Sequence, residues 1–311
     1  MPQRSLFVQR LSGLAAWALL SILPRAAFAE KEPLEPAAAV APVEQKAAPV
    51  PTATVHASAV AALNSILAEY ASRNGPPLVL ALGEYHETNA DAQKKKGKVP
   101  SALRRFSEQL LPVLSPVTSD LILETWITDG NCGKQETAAV QDVQKTTQRP
   151  EKTEDELVTL VKQAKTAGIT PHILKLSCTD YKSLTASGEV DYEKLLKLVT
   201  ELLQKKIVDV TRRREKDGGH RHVLVYGGAL HNDLVPKPEL APFSFGPAMQ
   251  KEFAAGFVEL DLYVPEFVDR DEAMKKEPWY AIYKKKARPG QTVVVRRAPG
   301  SFILLFPRGS R

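Results

Sequence analysis

Glu84 and His86 stand two residues apart at the end of an apolar run, Leu78-Val-Leu-Ala-Leu-Gly-Glu-Tyr-His-Glu87. In an extended chain alternate side chains share a face, so these two project together while Tyr85 points away. An acid beside an imidazole can bind a metal, hold a proton or orient a water, because imidazole titrates near neutrality and a carboxylate fixes its tautomer. The same pair can also simply close a strand end as an ion pair. Two more residues extend the pattern. Glu124 ends a second apolar run, Asp120-Leu-Ile-Leu-Glu124, and His231 follows a later one in Gly227-Gly-Ala-Leu-His-Asn232.

The elements that must carry these residues follow from periodicity. From Val55, residues Val60, Leu63, Ile66, Leu67 and Tyr70 form a helical stripe that Asn74-Gly-Pro-Pro77 ends. After the first strand come a basic loop, Lys94 to Lys98, and a helix opened by Pro100-Ser101. A polar stretch beyond Glu124 runs to about Thr153, where Thr153-Glu-Asp-Glu156 reads as a capping box. A third strand, Pro171 to Leu176, a long amphipathic helix from about Tyr192 to Arg214 and a fourth strand, His222 to Tyr226, follow. Strands separated by helices of this length predict an α/β fold: a mainly parallel sheet with helices on both faces. Phe257 to Leu262 continues it, and Thr292 to Val295 with Phe302 to Phe306 read as an antiparallel C-terminal hairpin. Ligands of such sheets bind outside the carboxyl ends of the strands, the edge where Glu84, His86, Glu124 and His231 fall.

Residues 1–29 read as a signal peptide, with Arg4 and Arg10, an apolar core from Leu11 to Leu23 and the small-x-small site Ala27-Phe-Ala29; cleavage is expected before Glu30. A retained anchor is the alternative, although the apolar core is shorter than the roughly 20 residues that cross a bilayer. Residues 30–54, built mainly from Ala, Pro, Val, Glu and Lys, read as a disordered Ala/Pro-rich spacer. Residues 55–311 form a single α/β domain. The protein is therefore exported, to the periplasm, the cell surface or the medium, and is peripheral to a membrane at most. Without Arg4, Arg10 and Arg25 the formal charge falls from +6 to +3. With no nucleic-acid module in view, that balance argues against a nucleic-acid partner.

Position sorts the remaining chemistry. His172, His220 and His222 belong to the amino ends of strands and His56 to the spacer or first helix, so all four are left to structure or solvent. Arg212-Arg-Arg214 reads as a solvated helix end. Cys132 and Cys178 follow the second and third strands, and in an exported chain they read as a disulfide. Tyr85 and Trp126 flank the carboxylates and form either an apolar wall for a ligand or core packing. Asn232 either orients His231 and meets a substrate or caps the next helix.

The pattern Gly83-Glu-x-His86, Glu124 and Gly227-Gly-x-x-His231 resembles a superfamily that groups erythromycin-esterase-like hydrolases, ChaN-like haem-uptake proteins and Tiki/TraB-type metalloproteases. The resemblance runs in order and spacing from about Pro77 to Leu305. It implies that Glu84 and His86 are the first acidic and imidazole groups of the site, Glu124 the second acid and His231 the closing histidine. In the hydrolase branches these groups activate water, directly or through a divalent metal; in the haem-uptake branch the same edge binds haem. Two functions follow. One is a hydrolase that turns water on an ester, lactone or amide of a small molecule or peptide. Zinc or manganese on Glu84, His86 and His231 would serve it, or His86 alone as general base with Glu84 orienting it. The other is a haem- or iron-binding uptake protein. The two carboxylates favour the hydrolase.

Overall fold

The structure, a computed structural model, describes residues 50–74, 79–87, 99–126, 130–147, 150, 152–217 and 221–309. The signal peptide, the spacer before residue 50, the Lys94–Lys98 loop and His220 lie outside the described residues. Eight strands build one sheet: β1 (Thr52–His56), β2 (Val79–Glu84), β3 (Thr118–Trp126), β4 (Thr170–Leu174), β5 (His222–Gly228), β6 (Phe257–Tyr263), β7 (Thr292–Ala298) and β8 (Ser301–Leu305). Their order is β1-β7-β8-β6-β2-β5-β3-β4. Only the β1–β7 and β7–β8 pairings are antiparallel, so β7 alone runs against the rest. This is the mainly parallel sheet with a C-terminal hairpin that the sequence predicts, and β2 and β5, which carry the site, lie at its centre.

The helices are α1 (Ala59–Asn74), α2 (Ala102–Arg105, continuing through a π-helical turn at Phe106–Leu110 into Leu111–Leu114), α3 (Lys134–Thr147), α4 (Lys152–Thr166), α5 (Cys178–Leu184), α6 (Tyr192–Lys216), α7 (Ala229–Asn232), α8 (Gly246–Phe253), α9 (Pro265–Val268) and α10 (Pro278–Lys286). They cover both faces. On one, Leu80, Leu82, Leu123, Leu224 and Tyr226 pack with Leu63 of α1, Phe106 of α2 and Leu157 and Leu160 of α4. On the other, Ala81, Ile122, Val223 and Val225 pack with Leu195, Val199, Leu203 and Ile207 of α6. A strand covered twice must be apolar at every position, which is why β2 reads as a run and is buried throughout. Burying each such leucine contributes about 1.5–3 kcal/mol.

Three local expectations are corrected. Val55 and His56 begin no helix: with Thr52, Ala53 and Thr54 they form the edge strand β1, paired with β7, so ordered structure starts inside the expected spacer. Their β-branched neighbours suit an edge strand. The polar stretch after Glu124 contains α3, whose buried apolar residues are Ala139, Val140 and Val143. Glu136 closes its amino end, accepting from the backbone N–H of Gly130 at 3.2 Å and Cys132 at 3.1 Å. The capping box expected at Thr153 is absent there because α4 already starts at Lys152. Such a box forms instead at α5, between Ser177 and Asp180.

Candidate active site

Glu84 is the last residue of β2 and His86 lies just beyond it, both more than nine-tenths buried. His86 Nδ1 is 2.7 Å from Glu84 Oε1, the contact that period-two projection predicts. The hydroxyl of Tyr226 donates to the other carboxylate oxygen at 2.6 Å. Tyr226 shares the β2 face through β5, where it is level with Leu82. Its ring stacks on Phe106, centroids 4.8 Å apart, presented by the π-helical turn of α2. Both Glu84 oxygens are thus engaged, which fixes the imidazole with its hydrogen on Nδ1 and leaves Nε2, itself buried, as the ring atom that can accept a proton. That atom comes to the backbone of Gly228, where any Cβ would lie 2.8 Å from it.

Glu124 and His231 make a second pair. The N–H of Gly228 donates to Glu124 Oε2 at 2.6 Å, and the side chain lies across Gly227, where a Cβ would overlap its carboxylate. His231, on α7, approaches Glu124 Oε1 with Nε2 at 3.4 Å, a loose contact for ionised groups. Its Nδ1 is 2.9 Å from the carbonyl of Phe243 and 2.8 Å from the Thr200 hydroxyl on α6. A carbonyl only accepts, so Nδ1 carries the hydrogen. A small cavity with room for about one water molecule lies beside this pair, lined by Glu124, His231, Asn232 and the two glycines together with Leu203 and Phe245.

The four residues share one sheet edge but not one face. By alternation Glu84 belongs with Leu80, Leu82 and Tyr226, whereas Glu124 belongs with Ile122 and Val225, on the side of α6. Gly227 and Gly228 are the seam between the pairs. Of the expected metal set, Glu84 and His86 lie on one side of this seam and His231 on the other. Among the described residues no group of three or more His, Cys, Asp or Glu side chains is arranged to hold a metal ion.

The other candidates divide. Asn232 lines the cavity. Tyr85 points away: its hydroxyl donates to Asp271 at 2.6 Å and its ring meets Tyr263 edge-on. Trp126 packs in the core on the α6 side. Cys132 and Cys178 form the expected disulfide. His172 and His222 lie away from the site as predicted, and His56 is in β1.

Two sets of residues escaped the sequence reading. At the rim, Lys152 of α4 pairs with Glu87 at 2.7 Å, and Glu156, one turn on, accepts from Ser101 at 2.5 Å. Burial holds the Glu156 carboxyl above its usual range, with the charges of Glu84 and Glu87 adding to the effect. Glu259 and Asp261 of β6 are buried, and with the partly buried Asp233 they surround the single guanidinium of Arg297. Burial pushes Asp261 up to about 7 and Glu259 well above its usual range, despite Arg297. Alternation of acids with Val and Leu in Phe257-Val-Glu-Leu-Asp-Leu262 was the available signal.

Compared with protein-family models, with curated proteins and with solved structures, the chain finds no match. Function must therefore be argued from the site itself.

Proposed function

We propose that this protein is an exported hydrolase that activates water for attack on an ester, lactone or amide carbonyl, with His86 as the general base. One observation carries the reading: the Tyr226–Glu84–His86 chain of hydrogen bonds, which assigns the Nδ1 hydrogen to the carboxylate and sets Nε2 at the carboxyl edge of the sheet, beside Gly228 and Glu124. Water attacks the carbonyl carbon as His86 Nε2 takes its proton. Collapse of the tetrahedral intermediate expels the alcohol or amine, to which His86 returns that proton. Glu84 stabilises the transient imidazolium through Nδ1–H, and Tyr226 keeps that carboxylate aimed. A position beyond the strand ends, next to a glycine pair, suits a small-molecule or peptide substrate.

The resemblance to erythromycin-esterase-like and Tiki/TraB-type hydrolases supports the same reading. Its metal does not fit the side chains as they stand: Glu84 is committed to His86 and Tyr226, and His231 faces the other side of the sheet, so no step is routed through zinc or manganese. Haem fits no better beside Glu124 and His231, where the space has room for about one water molecule. Export is supported by the Cys132–Cys178 disulfide, which suits an oxidising compartment, and no helix among the described residues is long and apolar enough to cross a membrane.

A panel of activated esters, lactones and peptide amides tests the proposal on the mature protein. His86→Ala should lower kcat/KM by about 10²- to 10⁴-fold, and Tyr226→Phe by a smaller factor. Hydrolysis absent from the wild type, or unchanged in His86→Ala, rejects it, and a Soret shift with haemin would restore the uptake reading.

A further inference from the structure

The cavity behind Gly227 and Gly228 has a chemical requirement of its own, set by Asn232. The Asn232 Nδ2 donates to the carbonyl of Ala81 at 3.3 Å and to Asp261 Oδ1 at 3.2 Å. The reversed amide would press its oxygen against two acceptors, so only one orientation is chemically sound. Oδ1 is consequently turned from both, lies in a side chain that is 3% exposed, and has no hydrogen-bond partner among the described residues.

The other polar side chains of the cavity also offer acceptors. Among the described residues Glu124 Oε1 meets only the loose 3.4 Å approach of His231, and His231 Nε2 presents a lone pair because its hydrogen sits on Nδ1, against Phe243 O. The nearby Gly228 N–H is already committed to Glu124 Oε2. A cavity walled by acceptors takes a hydrogen-bond donor. Its space has room for about one water molecule.

We propose that this cavity is a binding site for one water molecule, which donates its two hydrogens to Asn232 Oδ1 and Glu124 Oε1, and that Asp261 is the positioning residue that aims Asn232 at it. Asp261 is itself fixed for the task. The Tyr263 hydroxyl donates to its Oδ2 at 3.2 Å and Arg297 faces the same oxygen at 3.7 Å, leaving Oδ1 for Asn232. Asp233 and Glu259 share Arg297 and complete the charged surroundings. Gly83 makes the meeting possible: a Cβ there would overlap Asp261 Oδ1 and lie 2.6 Å from Asn232 Oδ1. The glycine before Glu84 thus serves close approach. The elevated Asp261 agrees, since a protonated or ionised carboxyl still offers Oδ1 to an amide N–H.

The water site stands apart from the hydrolase reading; its catalytic consequence, a Glu124 held in place, rests on it. High-resolution crystal structures of the mature wild type and of Asn232→Leu, Asp261→Leu and Asp261→Asn provide the test. The wild type should show one water about 2.8 Å from Asn232 Oδ1 and Glu124 Oε1. Asn232→Leu should lose it, Asp261→Leu should lose it with the Asn232 amide turned, and Asp261→Asn, which keeps an acceptor, should retain it. An empty cavity in the wild type, a metal ion there, or a water that persists in Asp261→Leu overturns the proposal. Given a hydrolase, Asn232→Leu should lower kcat about tenfold with KM unchanged, and Asp261→Asn should restore what Asp261→Leu loses. If the water is present but no His86-dependent hydrolysis is found, the function fails and the water site stands.

Discussion

The two ends of β3 hold the same residue types on the same face and put them to opposite use. Asp120 near its amino end and Glu124 near its carboxyl end are both almost fully buried, and each has a histidine beside it. Asp120 is saturated: Arg214 grips both oxygens, at 2.6 and 3.0 Å, and His172 adds a contact of 2.7 Å. Burial alone would raise its carboxyl, but the hydrogen bonds from His172, Arg214 and Ser119 outweigh it and hold Asp120 far below the usual carboxylate range. Glu124 has one short hydrogen bond, from a backbone N–H, and a histidine at 3.4 Å. A buried acid with all its partners is a fastening. One left short of donors still has capacity for a ligand.

Breaking the fastened end should cost most. Arg214→Met leaves Asp120 buried without its cation, and we expect about 3 kcal/mol lost in a urea melt, the low end for a broken buried pair because Arg214 is about one-third exposed. A loss below about 1 kcal/mol would show that Asp120 does not depend on Arg214.

The pH dependence separates an acid whose partners outweigh its burial from one whose burial outweighs its partners. Asp120 is depressed, so its contribution is present above its unfolded pKa of about 3.9 and is lost as pH falls through its folded value. Asp261 is raised, so its contribution is present below about 3.9 and is lost as pH rises through about 7. Thermal melts between pH 4 and 8 should therefore show wild-type Tm declining with pH, and Asp261→Asn should flatten that decline. An equal slope in both proteins removes Asp261 from the balance.

At the site end, Gly227→Ala drives a methyl group into the Glu124 carboxylate, and chemical denaturation should register about 2 kcal/mol of overpacking. A neutral result would mean that Glu124 can swing aside, contrary to its bond with Gly228. Smallest should be Glu124→Gln: removing an ill-compensated buried charge should leave the denaturation midpoint within about 1 kcal/mol of the wild type while hydrolysis falls. A large stability loss there would make Glu124 a second fastening and erase the contrast.

Much of this was legible in the residues. Buried strands announce themselves by composition, and the Glu84–His86 contact follows from two-residue spacing within one strand. Pro100-Ser101 opens α2 as read, and the Ser101 hydroxyl caps it, accepting from the N–H of Arg104. The division of the site between faces was not legible, because it depends on the parity of Glu124 in β3 relative to Glu84 in β2, and parity between strands is set by register. Arg214 looked like part of a solvated run because its partner, Asp120, is 94 residues away. Glu259 and Asp261 alternate as solvent-facing residues do; they are buried because α8 covers that face and Arg297 reaches across from β7.

The disulfide also changes what the chain is as a covalent object. Cys132 and Cys178 enclose α3, α4 and β4 in a closed ring. A protease that cuts once anywhere between them releases no fragment: the nicked molecule keeps its intact mass, apart from one added water, and separates into two pieces only after reduction.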